Sequence, residues 1–362
     1  MPEKTPKPMP KPEVLEPVVE ARIKRENREL KHQLQEALKT QVLDSKYRSF
    51  LKEIAAYQAH PPEWSMARSR KRREAIPVAH LSDAHFDEVI DPAQVQWLNC
   101  YNRAIAEMRL RRFFEKTITL CDDYMKGVEY PGMVLAVSGD MFSGSIHEEL
   151  KETNAAGLCE SLRYWIDPME AGIQMLAERF TKVRVTWVVG NHPRMDKKPR
   201  AKGGVHENFD WLLGSILMRD FGRAGDKRVT FEVSDAFDYS FKVNRTRYLQ
   251  THGDQFRGGS GISAALAPWF IGESRKRERQ QLVNDPFDVM IMGHWHWRVA
   301  LPSIKGNGSL KGLDEYAFRS NFRYQEPLQS FWLDTAEHGI TVEAPIFVQG
   351  RNEGWERAKT QS

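Results

Sequence analysis

The chain has 362 residues, of which 41% are hydrophobic and 28% charged, with a formal net charge of +4 at pH 7. This composition excludes a wholly disordered chain, a collagen and a disulfide scaffold. No apolar run approaches the roughly 18 residues needed to span a bilayer. At about 150 residues per domain, the length predicts two domains, or one large domain with an appendage. The opening residues (MPEKTPKPMPKPEV) lack the apolar centre of a signal peptide. Cys100, Cys121 and Cys159 show no CxxC spacing, which argues for a reducing compartment, cytoplasmic by default, and against a cysteine metal cage. The charge is uneven. Residues 1–75 carry 17 Lys+Arg against 11 Asp+Glu, and the remainder carries 36 against 38. Any attraction to a polyanion is therefore local to the N-terminal arm.

Residues 1–17 hold six prolines and read as an extended, disordered leader. The stretch 18–58 lacks Gly and Pro and is predicted to be helical. Within it Ile23, Asn27, Leu30, Leu34 and Ala37 follow the 4-3-4-3 spacing of a coiled-coil seam, in which an Asn favours a parallel dimer. Self-association or protein docking through this helix is one expectation, and a helix lying across the globular body is the other. His60-Pro61-Pro62 ends the helix. A basic linker follows (Arg68, Arg70, Lys71, Arg72, Arg73), read as solvated or as a phosphate contact. From residue 76 short β-rich runs (IPVAHLS, GMVLAVSG, VRVTWVVG, RYLQTHG, FDVMIMG) alternate with helical stretches near 92–126, 147–180, 206–221 and 261–283. Residues 229–243 read as an extra strand pair, and 328–348 returns to strand. The predicted organisation is leader 1–17, arm and linker 18–75, an α/β domain at 76–348 and a tail at 349–362.

Polar residues fall at the carboxyl ends of these runs, where ligand sites of α/β sheets form. The first run ends in Asp83 and His85 (LSDAHF), the second in Asp140 (VSGDMF), and the third in Asn191 and His192 (VVGNHPR). The fourth gives His252 (LQTHGD), and the fifth His294 and His296 (IMGHWHW). GNH and GHxH each arise by chance in on the order of one chain in a hundred of this length. Imidazoles, carboxylates and one amide, without thiolate, suit Mn, Fe, Zn or similar divalent ions. The set is too large for one ion. Two ions sharing a carboxylate fit the count, and paired metals serve phosphoryl displacement.

The ordered set D-x-H, GD, GNH, H-G, GHxH resembles the calcineurin-like metallophosphoesterase superfamily over about residues 76–300, and LSDAHF with GHxH is similar to its SbcD-like nuclease and phosphodiesterase branch. The resemblance implies a β-sandwich of two mixed sheets flanked by helices, here with an N-terminal helical extension. It implies that Asp83, His85 and His296 hold one metal, that Asn191, His252 and His294 hold the other, and that Asp140 bridges them. His192 would face the substrate, stabilise the transition state and protonate the leaving oxygen. Gly139, Gly190, Gly253 and Gly293 would let the backbone turn tightly beside the ions. The family usually has an acidic residue directly after the GNH histidine. Here it is Pro193, so Asp196 or Asp254 is the expected substitute partner for His192. Arg194 and Trp295 are candidate substrate contacts, with a surface salt bridge and packing beneath the loop as the respective alternatives. His80 is expected in the core. The run 275–279 (RKRER) is read as a solvated face or a nucleic-acid contact.

The implied activity is dinuclear metal-dependent phosphoester hydrolysis by metal-activated water, with manganese favoured and iron or zinc as alternatives. DNA or RNA phosphodiesters are the favoured substrates. A small-molecule or protein phosphatase, or an accessory subunit of a DNA-processing complex, is the alternative. No membrane is implied.

Overall fold

The computed structural model describes residues 16–57, 65, 73–257, 266–351 and 353. Most of the leader, and Arg68, Arg70, Lys71 and Arg72 of the basic linker, lie outside the described residues. The chain divides into two compact units, Met1–Arg70 and Lys71–Ser362.

The first unit contains α1 (Glu16–Ala56), a helix of 41 residues and therefore about 60 Å long. It takes in Glu16 and Pro17 from the expected leader. Ion pairs Arg22–Glu26, Lys24–Glu20 and Arg48–Asp44 join successive turns at 3.0, 2.7 and 2.9 Å, each stabilising by a few tenths of a kcal/mol. The seam residues Ile23, Leu30 and Leu34 are exposed.

The second unit is a sandwich of two mixed sheets. Its strands are β1 (Arg73–Glu74), β2 (Ile76–Leu81), β3 (Val128–Glu129), β4 (Met133–Ser138), β5 (Val183–Val188), β6 (Val229–Val233), β7 (Asp238–Val243), β8 (Thr246–Thr251), β9 (Val289–Met292), β10 (Val299–Ala300), β11 (Ile304–Gly306), β12 (Leu328–Thr335) and β13 (Gly339–Phe347). The six-stranded sheet has the order β13-β12-β2-β4-β5-β6, and the five-stranded sheet β10-β11-β9-β8-β7. β2, β4, β5 and β6 run parallel, whereas β12 is antiparallel to β2. In the second sheet β8, β9 and β11 are parallel, with β7 and β10 antiparallel at the edges. β1 and β3 form a short parallel pair apart from both.

Side chains alternate across these strands, so each central strand feeds two cores. Val78, Val134, Ala136 and Trp332 of the first sheet meet Phe241, Tyr248, Val289 and Ile291 of the second, filling the sandwich interior. The opposite faces of β2, β4 and β5 bury Leu81, Leu135, Val137 and Trp187 against helices. Those helices are α2 (Arg103–Thr119), α4 (Leu158–Arg179) and α5 (Phe209–Ala224). The outer face of the second sheet packs Met290, Met292 and Ile304 on Trp269 of α6 (Ala267–Leu282). Two short helices, α3 (Glu148–Thr153) and α7 (Glu315–Arg319), complete the unit.

Three expectations are adjusted. The helix expected over 92–126 begins only at Arg103, capped by Asn102, which accepts from Ile105 N at 3.0 Å; it ends in a wider π-type turn, Leu120–Tyr124. The helix expected over 147–180 is two helices separated at 154–157. The expected strand pair at 229–243 is two strands in different sheets: β6 pairs with β5 and β7 with β8. The chain crosses from one sheet to the other through Ser234–Phe237, so local alternation could not reveal the change of partner. Beyond β13, Val348 and Gln349 are buried, and Glu353 pairs with Arg112 at 2.5 Å.

Candidate metal centre

The candidate residues lie on the loops that leave β2, β4, β5, β8 and β9, all at one end of the sandwich. Five of them, Asp83, His85, Asp140, His294 and His296, hold left-handed backbone conformations with φ between 47° and 67°. Non-glycine residues rarely adopt this region, and such strain concentrates at functional sites. The loops also press closely together. A Cβ built on Gly139, at φ +83°, would stand 2.2 Å from Gly190 N, and one on Gly190 would stand 2.1 Å from Asp140 Oδ1.

Three groups of side chains bring one donor atom each within 4.8 Å of one another: Asp83, His85 and His296; Asp140, His252 and His294; and His85, Asp140 and His192. His85 Nε2 faces His296 Nε2 at 3.1 Å, and His296 Nε2 lies 3.3 Å from Asp83 Oδ1. His252 Nε2 lies 3.0 Å from Asp140 Oδ2 and 3.2 Å from Asn191 Oδ1. All seven expected ligands are therefore gathered, with the Asp140 carboxylate close to members of both halves.

Surrounding groups orient these donors. His252 donates Nδ1–H to Ser138 O at 2.7 Å, which turns Nε2 inward. Asp83 accepts backbone N–H of His294 at 2.9 Å and the hydroxyl of Ser82, itself held by Asn307 Nδ2 at 2.9 Å. Burial alone would raise the Asp140 carboxyl, but His252 and His192 outweigh it and hold the group well below the ordinary carboxylate value. Burial alone would lower His252, yet Asp140 raises it to about 10. The pocket thus asks for positive charge between its carboxylates. The donor set is imidazole, carboxylate and amide oxygen, and it fits hard or borderline divalent ions.

His192 is placed by its backbone N–H, which donates to Asp140 Oδ1 at 2.8 Å. Its Nδ1–H donates to Ser143 O at 2.9 Å. A main-chain carbonyl therefore takes the place where the resemblance calls for a carboxylate. Asp196 instead pairs with Arg200 at 2.7 Å, and Asp254 is exposed. Burial pushes the His192 imidazole down to about 3. His147, to which the sequence assigned no role, brings its ring within 5.9 Å of His192.

The remaining candidates have defined positions. Arg194 donates to three main-chain carbonyls, Asn191 O (2.8 Å), Asp196 O (3.0 Å) and Lys197 O (3.0 Å). Trp295 and Trp297 pack on Trp269, with centroids 5.8 and 5.9 Å away. His80 is fully buried, its Nε2 2.7 Å from Ser138 Oγ. In the 275–279 run, Lys276 is buried on Asp238, and Arg277 binds Glu273 and Phe287 O; Arg275 and Arg279 are exposed. A cleft of about 610 Å³ opens beside Asn191, lined by Arg194, Arg200, Phe237, Asp254, Gln255 and Arg279 among others.

Sequence reasoning missed Asp210, which is fully buried and accepts the backbone N–H groups of Asp140 (2.8 Å), Met141 (3.1 Å) and Gly190 (2.9 Å). In the sequence it reads as an ordinary acidic residue of a helix first turn, just after the Asn208 cap. It also missed Glu88, Lys311 and Asp314, buried behind His85. Their spacing carries no motif.

No protein-family model matches the chain, and no curated protein matches it. Several solved structures do. One is a conserved uncharacterised protein and predicted phosphoesterase from Streptococcus pneumoniae, 12% identical, spanning 77% of this chain and 98% of its own, with a TM-score of 0.27. Another is Vps29 of Entamoeba histolytica complexed with zinc, 12% identical over 75% of this chain and 99% of its own, TM-score 0.28. A third is the sulfate thiohydrolase SoxB of Thermus thermophilus, 9% identical over 82% of this chain and 61% of its own, TM-score 0.29.

Proposed function

We propose that the chain is a phosphoester hydrolase working with two divalent metal ions, with phosphodiesters of DNA or RNA as its favoured substrates. The observation that carries this reading is the convergence of Asp83, His85, Asp140, His252, His294 and His296 into overlapping groups of donor atoms, with Asn191 Oδ1 beside His252. In this reading Asp83, His85 and His296 hold one ion, Asn191, His252 and His294 the other, and Asp140 serves both. When bound, the ions would polarise phosphoryl oxygens and generate a nucleophile from water near neutral pH. Manganese is the favoured metal, with iron or zinc as alternatives.

The chain's own groups do the rest. Asp140 holds His192 through the backbone N–H, and Ser143 O fixes the neutral ring with its proton on Nδ1, so Nε2 is an acceptor that passes a proton to the departing oxygen only after taking one up to become imidazolium. The cleft beside Asn191 accepts the organic part of the substrate; its volume suits a nucleotide-sized group. A second reading, a small-molecule phosphodiester or a phosphoprotein, is favoured by the lining of that cleft. It balances Arg194, Arg200, Lys276 and Arg279 with Asp196, Glu207, Asp238 and Asp254. We also infer self-association through α1. The exposed seam places Asn27 at a core position, and Glu26 faces Lys31 of a parallel partner helix across the flank. No helix of the described residues is long and apolar enough to cross a membrane.

The test is digestion of end-labelled single- and double-stranded DNA and RNA with Mn²⁺, alongside aryl phosphodiester and monoester substrates, with Asp140→Ala as control. Metal-dependent cleavage that disappears in the variant is expected. Metal-loaded protein that leaves every phosphoester intact overturns the hydrolase reading, and hydrolysis of aryl esters alone moves the substrate to small molecules.

A further inference from the structure

Behind His85 lies a buried group of charges. Glu88 is 3% exposed, Lys311 2% and Asp314 7%, while His85 is fully buried. Lys311 Nζ sits 2.8 and 2.9 Å from the two Glu88 oxygens and 2.5 Å from Asp314 Oδ2. Asp314 is fixed in turn by its other oxygen, which accepts Ala317 N at 2.7 Å at the start of α7. Glu88 is fixed by its own backbone N–H, donated to His85 O at 3.1 Å. Its Oε2 then faces His85 Nδ1 at 3.3 Å and Ser143 Oγ at 3.3 Å. Two carboxylates and one ammonium leave one unit of negative charge uncompensated. Such a surplus is unfavourable in a buried setting unless a cation stands nearby. The side on which it is open is the His85 imidazole.

We propose that Glu88 is a positioning residue for the metal centre: its carboxylate, 3.3 Å from His85 Nδ1, steadies the His85 ring, keeps Nε2 turned toward Asp83, His296 and Asp140, and favours a cation there. Lys311 and Asp314 hold Glu88 in place. The inference rests on the metal-dependent reading above. Carboxylate partners of this kind fix the ligand's tautomer and raise its basicity. The same carboxylate reaches Ser143, whose carbonyl orients His192. One buried group thereby braces both a metal ligand and the loop that orients His192.

The experiment is Mn²⁺ titration of the purified full chain, followed by low-temperature EPR and by metal content, neither of which depends on turnover. The wild-type protein is expected to take up two ions. Glu88→Ala is expected to keep one ion at wild-type affinity and to bind the other about 10–100-fold more weakly. Glu88→Gln keeps an acceptor oxygen and leaves Lys311 paired with Asp314. It is expected to restore part of that affinity, with a melting temperature close to wild type. If Glu88→Ala fails to fold, Glu88→Gln decides, with a weakening confined to one of the two ions expected. The proposal is overturned if the folded variants bind both ions as the wild type does, or lose both equally. A wild-type chain that takes up no metal overturns the hydrolase reading instead, and this inference with it.

Discussion

His85 Nε2 and His296 Nε2 stand 3.1 Å apart although 211 positions separate them in the chain. Two imidazole nitrogens at this distance share either a proton or a cation. The carboxylates of Asp83 and Asp140 stand beside them at 3.3 and 4.0 Å, and a cation satisfies all four groups at once. His85→Ala and His296→Ala are therefore each expected to weaken one of two bound ions and to lower kcat at least about a hundredfold. Metal content and steady-state rates, measured on the same preparations, check this.

Asp210 ties the Asp140 loop to the Gly190 loop through three backbone N–H groups. Its carboxyl is pushed up to about 7, first by burial and then by the charge of Asp140. Asp210→Ala strands three buried donors, and an unsatisfied buried donor costs about 1–3 kcal/mol. A loss of about 3 kcal/mol or more in urea unfolding is expected, together with weaker metal binding. Unchanged stability would mean that water replaces the carboxylate.

Gly190→Ala places a methyl group 2.1 Å from the Asp140 carboxylate oxygen. Overpacking of this kind costs about 1–3 kcal/mol. The larger expected effect is functional, because the methyl displaces the carboxylate both halves of the site share. Activity is expected to fall much further than the melting temperature. Gly203→Ala, at a position with no atom within 4 Å of the added carbon but with a left-handed φ, is the surface control; it is expected to lower stability slightly and leave kcat intact.

Arg194 spends its guanidinium on three carbonyls of its own loop. Arg194→Ala is expected to loosen the Asn191–Lys197 turn, lowering kcat and the melting temperature together. The salt dependence of KM is expected to stay as in the wild type. A steep loss of that dependence would instead reveal a direct phosphate contact.

The exposed seam of α1 is expected to assemble copies of the chain. Leu30→Glu with Leu34→Glu puts four carboxylates into a two-stranded core, and light scattering is expected to report monomers where the wild-type protein forms dimers. A wild-type monomer at micromolar concentration would leave α1 without a copy of itself as partner.

Much of the site was legible because each candidate residue follows a β-rich run, and strands deliver their carboxyl-end residues to a common edge. Asp83, Asp140, Asn191 and His252 each follow such a run, and their side chains lie at the same end of the sandwich. Glu88, Lys311 and Asp210 were not legible, since a buried ion pair or an acceptor for another loop's N–H groups leaves no local period. The same limit explains β6 and β7. Each reads correctly as a strand, but hydrogen-bond partners belong to the sheet and not to the segment.

Strand alternation, helix length and the order of the polar residues are properties of neighbouring positions, and the sequence alone determined them. α1 lies within that reach, because a long run without Gly or Pro needs no distant contact to be helical. What only the tertiary structure decided are relations across hundreds of residues: the Ser143 carbonyl holding His192, Arg194 turned onto its own loop, Lys276 buried on Asp238, and the charge balance behind His85. Each depends on which group reaches a buried polar atom first, and desolvation makes that choice strict.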